Sequence, residues 1–338
     1  MRRLTAVAVC AVLALAPTVA AAWGATGHRI MGVAAIRALP DEIPAFLRTE
    51  AAATEIGELS REPDRWKGAG RVHDDDRNPA HFIDLTDDGR ALAGGPAIGA
   101  LPETLLLYRT AVRAAGHDEN EAGWLPYAIV DAWQQLRLDF AYWRVLAAAE
   151  RRATDPGRRA WFAEDRRRRE ALILRDLGEL SHYVADGSQP HHLTIHYNGW
   201  DRNTPNPEGF TTARTFHGAF EGAFVRANHD QAALEAALSP LRVGDQPIER
   251  RVVGYLETTW RQVTPLYRLE RAGGFTTDVP AGRAFAQRQM AAGASELRDL
   301  IVEAWRSSAT AEVGWRPVKV QDVEAGTVDP YESLRGVD

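Results

Sequence analysis

Residues 180–192 read Leu-Ser-His-Tyr-Val-Ala-Asp-Gly-Ser-Gln-Pro-His-His, and this stretch governs how the rest of the chain is interpreted. The residues that lead into it, 166–184, repeat leucine at a spacing that predicts a helix. His182 and Asp186 are four positions apart near its end, so both leave the helix from one face. Pro190 then stops the helix, and the chain turns with His191 and His192 close by. The stretch therefore predicts a helix end that gathers imidazole and carboxylate groups.

The same periodicity recurs elsewhere along the chain. It predicts helices within 30–39, 124–150, 255–264 and 281–307, with Pro265 expected to interrupt the third. No segment alternates for long enough to build a sheet larger than a short hairpin, so we expect an all-α fold. Loops are expected at 68–78, 87–102 and 198–209, where Gly, Asp, Asn and Pro cluster, and the tail after Trp315 is expected to wrap the surface.

The first 22 residues have the pattern of a secretory signal peptide. Arg2 and Arg3 precede an apolar run over 4–15, and small residues occupy 20–22. We expect cleavage after Ala22, so that Trp23 becomes the first residue of a periplasmic or secreted protein. An uncleaved anchor is the alternative, but the run is short for a membrane span. Residues 23–338 are expected to form one domain with no transmembrane segment.

The amino-acid composition limits which metal ligands and which substrates we expect. The single cysteine, Cys10, lies inside the predicted signal, so residues 23–338 contain neither a disulfide nor a thiolate ligand. The formal net charge of −6 argues against a broad electrostatic grip on nucleic acid, which needs many lysine and arginine contacts to phosphate. A nuclease is not excluded, because bound metal ions add positive charge locally.

Further candidate metal ligands lie on both sides of the opening stretch. His217 and Glu221 repeat the four-residue spacing of an imidazole and a carboxylate on a predicted second helix. Asp64 precedes one glycine-rich loop, and His81 follows it. His28 lies five residues after Trp23, whose free α-amine would titrate near neutrality and could serve as a nitrogen ligand. Imidazoles and carboxylates on shared faces are typical of zinc sites.

Taken in order, these motifs resemble the zinc-dependent phospholipase C and S-one/P-one nuclease superfamily. The resemblance covers about residues 23–225 and rests on one ordered set: Trp23 at the cleavage site, His28, Asp64, His81-Phe82, His182 with Asp186, Gln189-Pro190 with His192, and His217 with Glu221. It implies a single helical domain with a trinuclear zinc site. The segment between His81 and His182 is longer than is typical of either branch.

The resemblance assigns the ligands of three zinc ions. Asp64, His81, His182 and Asp186 would hold one ion. The Trp23 amine and carbonyl, His28 and the other oxygen of Asp186 would hold the second, which makes Asp186 a bridging ligand. His192, His217 and Glu221 would hold the third. Asp64 and Asp186 are the expected catalytic carboxylates, Asp64 by orienting the attacking water.

The implied activity is hydrolysis of a phosphodiester, and two substrate classes stay open. Glu221 and the absence of disulfides resemble the phospholipase branch, which favours a phospholipase C-like enzyme. The spacing from Trp23 to His28 and the His81-Phe82-Ile83-Asp84 motif resemble the nuclease branch, which makes a single-strand-specific nuclease the alternative. Phe82 is the expected substrate-binding residue, by stacking on a base, unless it merely packs beside the metal site.

Several assignments have competitors. His191 rivals His192 as ligand, although the motif register favours His192, and Asp74, Asp75 and Asp76 compete weakly with Asp64. His196 is either a substrate contact or, more often for such residues, an ordinary loop histidine, and His73, His117 and His229 are not expected to be ligands. The run 166–169 is either a solvated face or a contact for an anionic substrate. A zinc-storage protein and a helical interaction module are the two readings that are not hydrolases.

Overall fold

Helices dominate the structure, a computed structural model that describes residues 23–336. Three long helices carry the fold: α7 (Leu125–Arg152), α8 (Pro156–Asp186) and α14 (Val279–Ser308). Helix α8 packs along α7, and α14 packs against both, while α1 (Gly24–Arg37) contacts α8 and α14. The all-α prediction is confirmed at this level.

Shorter helices complete the shell. They are α2 (Glu50–Leu59), α3 (Glu62–Arg65), α4 (Arg71–Arg77), α5 (Leu105–Ala114), α6 (Glu119–Ala122), α9 (Phe216–Gly218), α10 (Val225–Asn228), α11 (Gln231–Ala236), α12 (Ile248–Trp260), α13 (Val263–Arg271), α15 (Val320–Ala325) and α16 (Tyr331–Arg335). Single 3₁₀ turns lie at Ala45–Leu47, Asn78–His81, Ile98–Ala100 and Pro190–Leu193, and a π-helical segment, Ala219–Phe224, joins α9 to α10.

Local chemistry fixes both ends of α8. Its start is capped by Asp155, whose carboxylate accepts a hydrogen bond from the backbone N–H of Arg158 at 2.7 Å, and Pro156 occupies the first turn. Its end meets α12 closely: a Cβ on Gly187 would lie 2.8 Å from side-chain carbons of Tyr255 and Leu256. Only glycine allows the chain to leave the helix this close to its neighbour and turn into Pro190.

Two hydrophobic clusters form the core. The larger includes Ile36, Leu180 and Tyr183 and extends through α7 and α12. The smaller is rich in aromatic residues and includes Trp23, Phe220 and Tyr267. Helices α1 and α8 contribute side chains to both clusters, so the end of α8 lies where the two meet.

Three sequence expectations need correction. Helix α8 begins at Pro156, ten residues before the predicted start. The segment 68–78 is not all loop, because it contains α4, a polar helix none of whose residues is buried. Pro265 does not interrupt a helix: the break lies at Arg261–Gln262, and Pro265 sits in the first turn of α13, where a missing N–H has no cost.

The tail after Trp315 is more ordered than expected. Strands β1 (Glu312–Val313) and β2 (Val318–Lys319) form the short antiparallel hairpin, with Val313 opposite Val318. Helix α15 follows and packs on α7. The predicted signal peptide, residues 1–22, lies outside the described residues. Within 23–336, no helix combines the length and apolar character needed to cross a bilayer.

Candidate metal centre

The predicted metal ligands come together from six separate segments of the chain. His28 comes from α1, Asp64 from α3, His81 from the 3₁₀ turn at Asn78–His81, and His182 and Asp186 from the last turns of α8. His192 follows in the turn Pro190–Leu193, and His217 and Glu221 come from α9 and the π-helical segment. All are buried except Asp64, whose side chain is 15% exposed.

Asp186 lies at the centre of the first group of ligands. Its Oδ1 is 3.4 Å from His28 Nε2, and its Oδ2 is 3.3 Å from His182 Nε2. The two oxygens of one buried carboxylate therefore face different imidazoles, as a bridge between two ions requires. The His28 and His182 rings stack at 4.1 Å, and His81 Nε2 lies 3.7 Å from Asp64 Oδ1.

A second group lies beside it. His217 Nε2 is 2.7 Å from Glu221 Oε2, and His192 Nε2 is 3.8 Å from the same oxygen. Gln189 Nε2 donates to Glu221 Oε2 at 3.3 Å. Donor atoms of three sets are close enough to share an ion: His28, Asp64 and His182; His81, His182 and Asp186; and His192, His217 and Glu221.

Most of the candidate ligand atoms are buried without a hydrogen-bond partner. Both ring nitrogens of His28 and His217, the Nε2 atoms of His81, His182 and His192, and both oxygens of Asp186 are in this state. Unpaired buried polar atoms are rare and costly, so a cluster of them calls for a missing partner. A set of imidazole nitrogens and carboxylate oxygens fits a divalent ion such as zinc.

Three of the histidines are oriented by main-chain carbonyl groups. The Nδ1–H of His182 donates to Ser60 O at 2.8 Å, that of His81 to Asn78 O at 3.0 Å, and that of His192 to His81 O at 2.6 Å. Each bond fixes the tautomer and turns the Nε2 lone pair toward the centre, as the outer shell of a metal site does.

Without a bound metal ion, the candidate histidines differ in the direction in which their surroundings shift the pKa. Burial lowers the pKa of His28 to about 4 and, together with Lys67, that of His81 to about 3, so both are neutral and ready to bind a metal. Burial also opposes charge on His192, but Asp186 and Glu221 outweigh it and raise its pKa to about 9. Burial would raise the pKa of Asp186, yet the surrounding histidines hold it well below the ordinary value.

Trp23 lies immediately before α1 and is fully buried. Its indole Nε1 donates to Ser188 Oγ at 2.8 Å, and its carbonyl accepts from Gly27 N at 3.1 Å. A Cβ on Gly27 would come within 2.7 Å of Trp23 Cβ, so glycine is required there. These contacts bring the Trp23 main chain to within about one helical turn of His28. Ligation through its amine and carbonyl stays a prediction.

A cavity of about 710 Å³ opens onto the centre. His81, His192 and His217 line its floor, and Phe82 forms part of its wall. Phe82 thus borders the cavity, and its contact with a substrate stays a prediction.

Two polar residues of the cavity were given no role from the sequence, although Asp84 ends the His81-Phe82-Ile83-Asp84 motif. Lys67 Nζ lies 2.5 Å from Asp64 Oδ1, a pairing that their three-residue spacing on a helix end could have signalled. Asp84 is buried with Oδ1 unpartnered, and burial raises its pKa well above the ordinary range. Its role depends on tertiary burial, for which the sequence has no local signal.

The structure also separates the competing histidines. His192 joins His217 and Glu221, whereas the His191 ring packs between Phe216 and Tyr267. His196 has partners at both ring nitrogens: Nε2 lies 3.0 Å from Asp87 Oδ1, and Nδ1 accepts from Asp201 N at 3.0 Å. It also stacks on Trp200 at 3.7 Å. This full set of partners fits the ordinary loop histidine.

The remaining competitors lie apart from the ligand sets. No set found among residues 23–336 includes His73, His117, His229 or any of Asp74, Asp75 and Asp76. The arginines at 166–169 all pair with carboxylates, among them Glu150, Glu164 and Asp139. Arg169 lies 13 residues before His182 on α8, roughly 20 Å along the helix, so the run favours an ion-paired face over a substrate contact.

In comparison with known proteins, no family model matches the chain, and no curated protein matches it.

Proposed function

We propose that this protein is an exported, zinc-dependent hydrolase of phosphodiesters. One observation carries the proposal: the buried Asp186 carboxylate turns its two oxygens toward His28 and His182, within a cluster of candidate ligand atoms most of which have no hydrogen-bond partner. A bridging carboxylate and a third imidazole–carboxylate group are more than a storage protein needs. An interaction module would have no reason to bury them unpaired.

The residues present fit three ions. Asp64, His81, His182 and Asp186 would hold one, the Trp23 main chain with His28 and Asp186 the second, and His192, His217 and Glu221 the third. Bound zinc supplies Lewis acidity and lowers the pKa of a coordinated water to about 7. The ordered motifs that resemble the phospholipase C and S-one/P-one nuclease superfamily support the same assignment, with residues 23–338 as one domain of that fold.

The chain's own groups have separable roles in this proposal. Asp64, which lies beside the cavity-lining His81, orients the attacking water. Lys67, paired with Asp64 and also lining the cavity, brings a positive charge to the phosphate. Phe82 contacts the organic part of the substrate. The cavity gives that part of the ester room while the phosphate faces the histidines.

A phospholipase C-like substrate is our first candidate. Carboxylates of Asp74, Glu121 and Asp201 line the cavity together with Lys67. Bound zinc would add positive charge at the histidines, where the phosphate binds, and the carboxylates would attract a cationic head group on the same substrate. The third ligand set, completed by Glu221, agrees with the same branch.

A single-strand-specific nuclease is the second candidate, and one observation favours it. Asp84, whose pKa burial raises well above the ordinary range, lies on the cavity wall two residues after Phe82. A protonated carboxyl can both donate and accept a hydrogen bond, which matches the paired donor and acceptor on the edge of a base. Phe82 would stack on the same base.

The first prediction concerns Asp186. We expect about three zinc ions per purified wild-type chain, and we expect Asp186→Asn to lose zinc and to lower phosphodiesterase activity by more than about 100-fold, since a bridging ligand contributes at least as much as an outer-shell group. Elemental analysis and hydrolysis of bis(p-nitrophenyl) phosphate measure the two effects. His229→Gln, outside every ligand set, is the matched control and should behave as wild type.

The same preparation separates the alternatives. Fewer than two zinc ions per chain would refute the trinuclear assignment, and zinc without phosphodiesterase activity would indicate a storage protein. Parallel assays on phosphatidylcholine vesicles and on single-stranded DNA and RNA then choose between the two substrate classes.

A further inference from the structure

Leu92 adopts a backbone conformation that leucine rarely takes. Its φ is 59°, and among residues 23–336 only Trp23 shares a positive φ without being glycine. The left-handed region crowds the Cβ of an L-residue, so a branched side chain there costs free energy. Such residues persist where the surrounding structure holds them and tend to occur at binding sites.

The surrounding turn does not force leucine on this position. It uses glycine at two nearby positive-φ positions, Gly89 and Gly94, both at 76°. The main chain of Leu92 is held at both ends: its N–H donates to Asp84 O at 3.0 Å, and its carbonyl accepts from Gly95 N at 3.2 Å. Glycine would satisfy the same hydrogen bonds without strain, so the reason for leucine must lie in its side chain.

The side chain of Leu92 lines the cavity over the metal centre. It shares that cavity with Phe82 and Ile195, which are also apolar, and with His81 and His192 on the floor. It is half-buried, with the rest of its surface against the edge of the larger core cluster. Leu92 thus supplies apolar surface to a cavity otherwise bordered by several carboxylates, and it does so from the 87–102 loop, within the stretch that is longer than the family's usual length.

We propose that Leu92 is a specificity-determining residue, held in the cavity to bind the apolar part of the group esterified to the phosphate. The inference rests on the proposed function, because the phosphate must be anchored at the ligand cluster for its substituent to reach Leu92. The shared chemistry is an apolar group attached to the phosphate.

Two small phosphonates test this without assuming a natural substrate. Methylphosphonate and phenylphosphonate present the same anion to the zinc-loaded protein and differ only in the apolar group. We expect wild type to bind phenylphosphonate the more tightly by calorimetry. Leu92→Asn, which tolerates the left-handed backbone but is polar, should reduce that preference about tenfold and leave methylphosphonate binding unchanged. The matched control, Leu241→Asn in a loop outside the cavity, should keep the preference.

Two further variants check the strain itself. Because glycine relieves the left-handed cost and alanine does not, Leu92→Gly should unfold at a higher temperature than Leu92→Ala, the reverse of their usual order. An alanine variant that is at least as stable as the glycine variant would overturn the proposal.

The remaining outcomes are also decisive. If wild type binds both phosphonates equally, or if Leu92→Asn retains the preference for phenyl, Leu92 does not determine specificity while the metal chemistry stands. If wild type with its zinc binds neither phosphonate, the proposed function fails and the role of Leu92 fails with it.

Discussion

At the scale of single residues, the candidate centre depends on how each imidazole is turned. Ser60, Asn78 and His81 offer carbonyl oxygens to the Nδ1–H groups of three histidines, and the opposite nitrogens converge. The pairs His182–Asp186 and His217–Glu221 could be predicted because a four-residue spacing on a helix is a local property, and the resemblance supplied the other candidate ligands. The contact of Lys67 with Asp64 is also local, but the carbonyl partners and the burial of Asp84 could not be predicted, because they depend on how distant segments pack.

The charge on His192 leads to a prediction about pH. In the metal-free protein Asp186 and Glu221 raise the pKa of His192 to about 9, above about 6.5 for an unfolded histidine. A raised pKa stabilises the fold fully below pH ~6.5, and that contribution is lost as the pH rises through about 9. We therefore expect the unfolding temperature of chelator-treated protein to fall between pH 6.5 and 9.5 by about a few degrees.

The zinc-loaded protein should lack this fall, since metal and proton compete for His192 and metal uptake releases the proton. His192→Gln removes the titrating group and, after chelation, should flatten the curve. Equal slopes for the loaded and chelated wild type would show that the His192 proton does not stabilise the empty site.

At the scale of elements, the apolar periodicity predicts that a helix is present. The residues at which the helix begins and ends depend instead on capping groups, prolines and glycines, which the periodicity does not include. The long helices α7, α8 and α14 were predictable because their apolar residues recur over many turns. Helix α4 was not, because no face of it is buried, so no apolar stripe marks it. Glu221 sits in a π-helical segment, a local widening that is common at functional sites and that a four-residue spacing cannot reveal.

The crossing of α2 and α8 provides a test at this scale. A Cβ on Gly178 would lie 2.5 Å from Leu59 Cβ, so Gly178→Ala should push apart the end of α2, where Ser60 O orients His182. We expect a loss of roughly 1–3 kcal/mol in the free energy of unfolding and weaker zinc binding. Urea unfolding and zinc titration measure the two effects.

Gly254 in α12 is the matched control, because it is also a helix-interior glycine but has open space around its Cβ position. Gly254→Ala should be neutral or stabilise by up to about 1 kcal/mol. If both alanine variants bind zinc as wild type does, the close approach of α2 and α8 is not what positions His182.

At the scale of the whole molecule, the centre lies between the two hydrophobic clusters. Segments from both clusters supply ligands: Tyr183 of the larger adjoins His182, and Phe220 of the smaller adjoins Glu221. The all-α class was predictable from composition and period. The partition of the core was not, because it depends on which helix faces meet, and neither was the order in the tail after Trp315, where periodicity is weak.

This placement predicts that zinc stabilises the fold as a whole. A ligand present at 100 times its Kd adds about 2.7 kcal/mol per site, so chelation should lower the unfolding temperature by at least about 5 °C. Differential scanning calorimetry with and without EDTA measures the change. Asp186→Asn, already short of zinc, should shift much less. A chelated wild type that unfolds as the loaded protein does would mean that the ions do not connect the two clusters.

The carbonyl groups that orient the histidines have a consequence for how this sequence can diverge. Every amino acid supplies a main-chain carbonyl, so positions 60 and 78 can change identity without removing the acceptor, provided the backbone keeps its course. Amino-acid substitution is then restricted at the ligand positions and at three glycines that leave no room for a side chain, Gly27, Gly178 and Gly187. Distant homologues are therefore better sought by the spacing of these few positions than by overall identity.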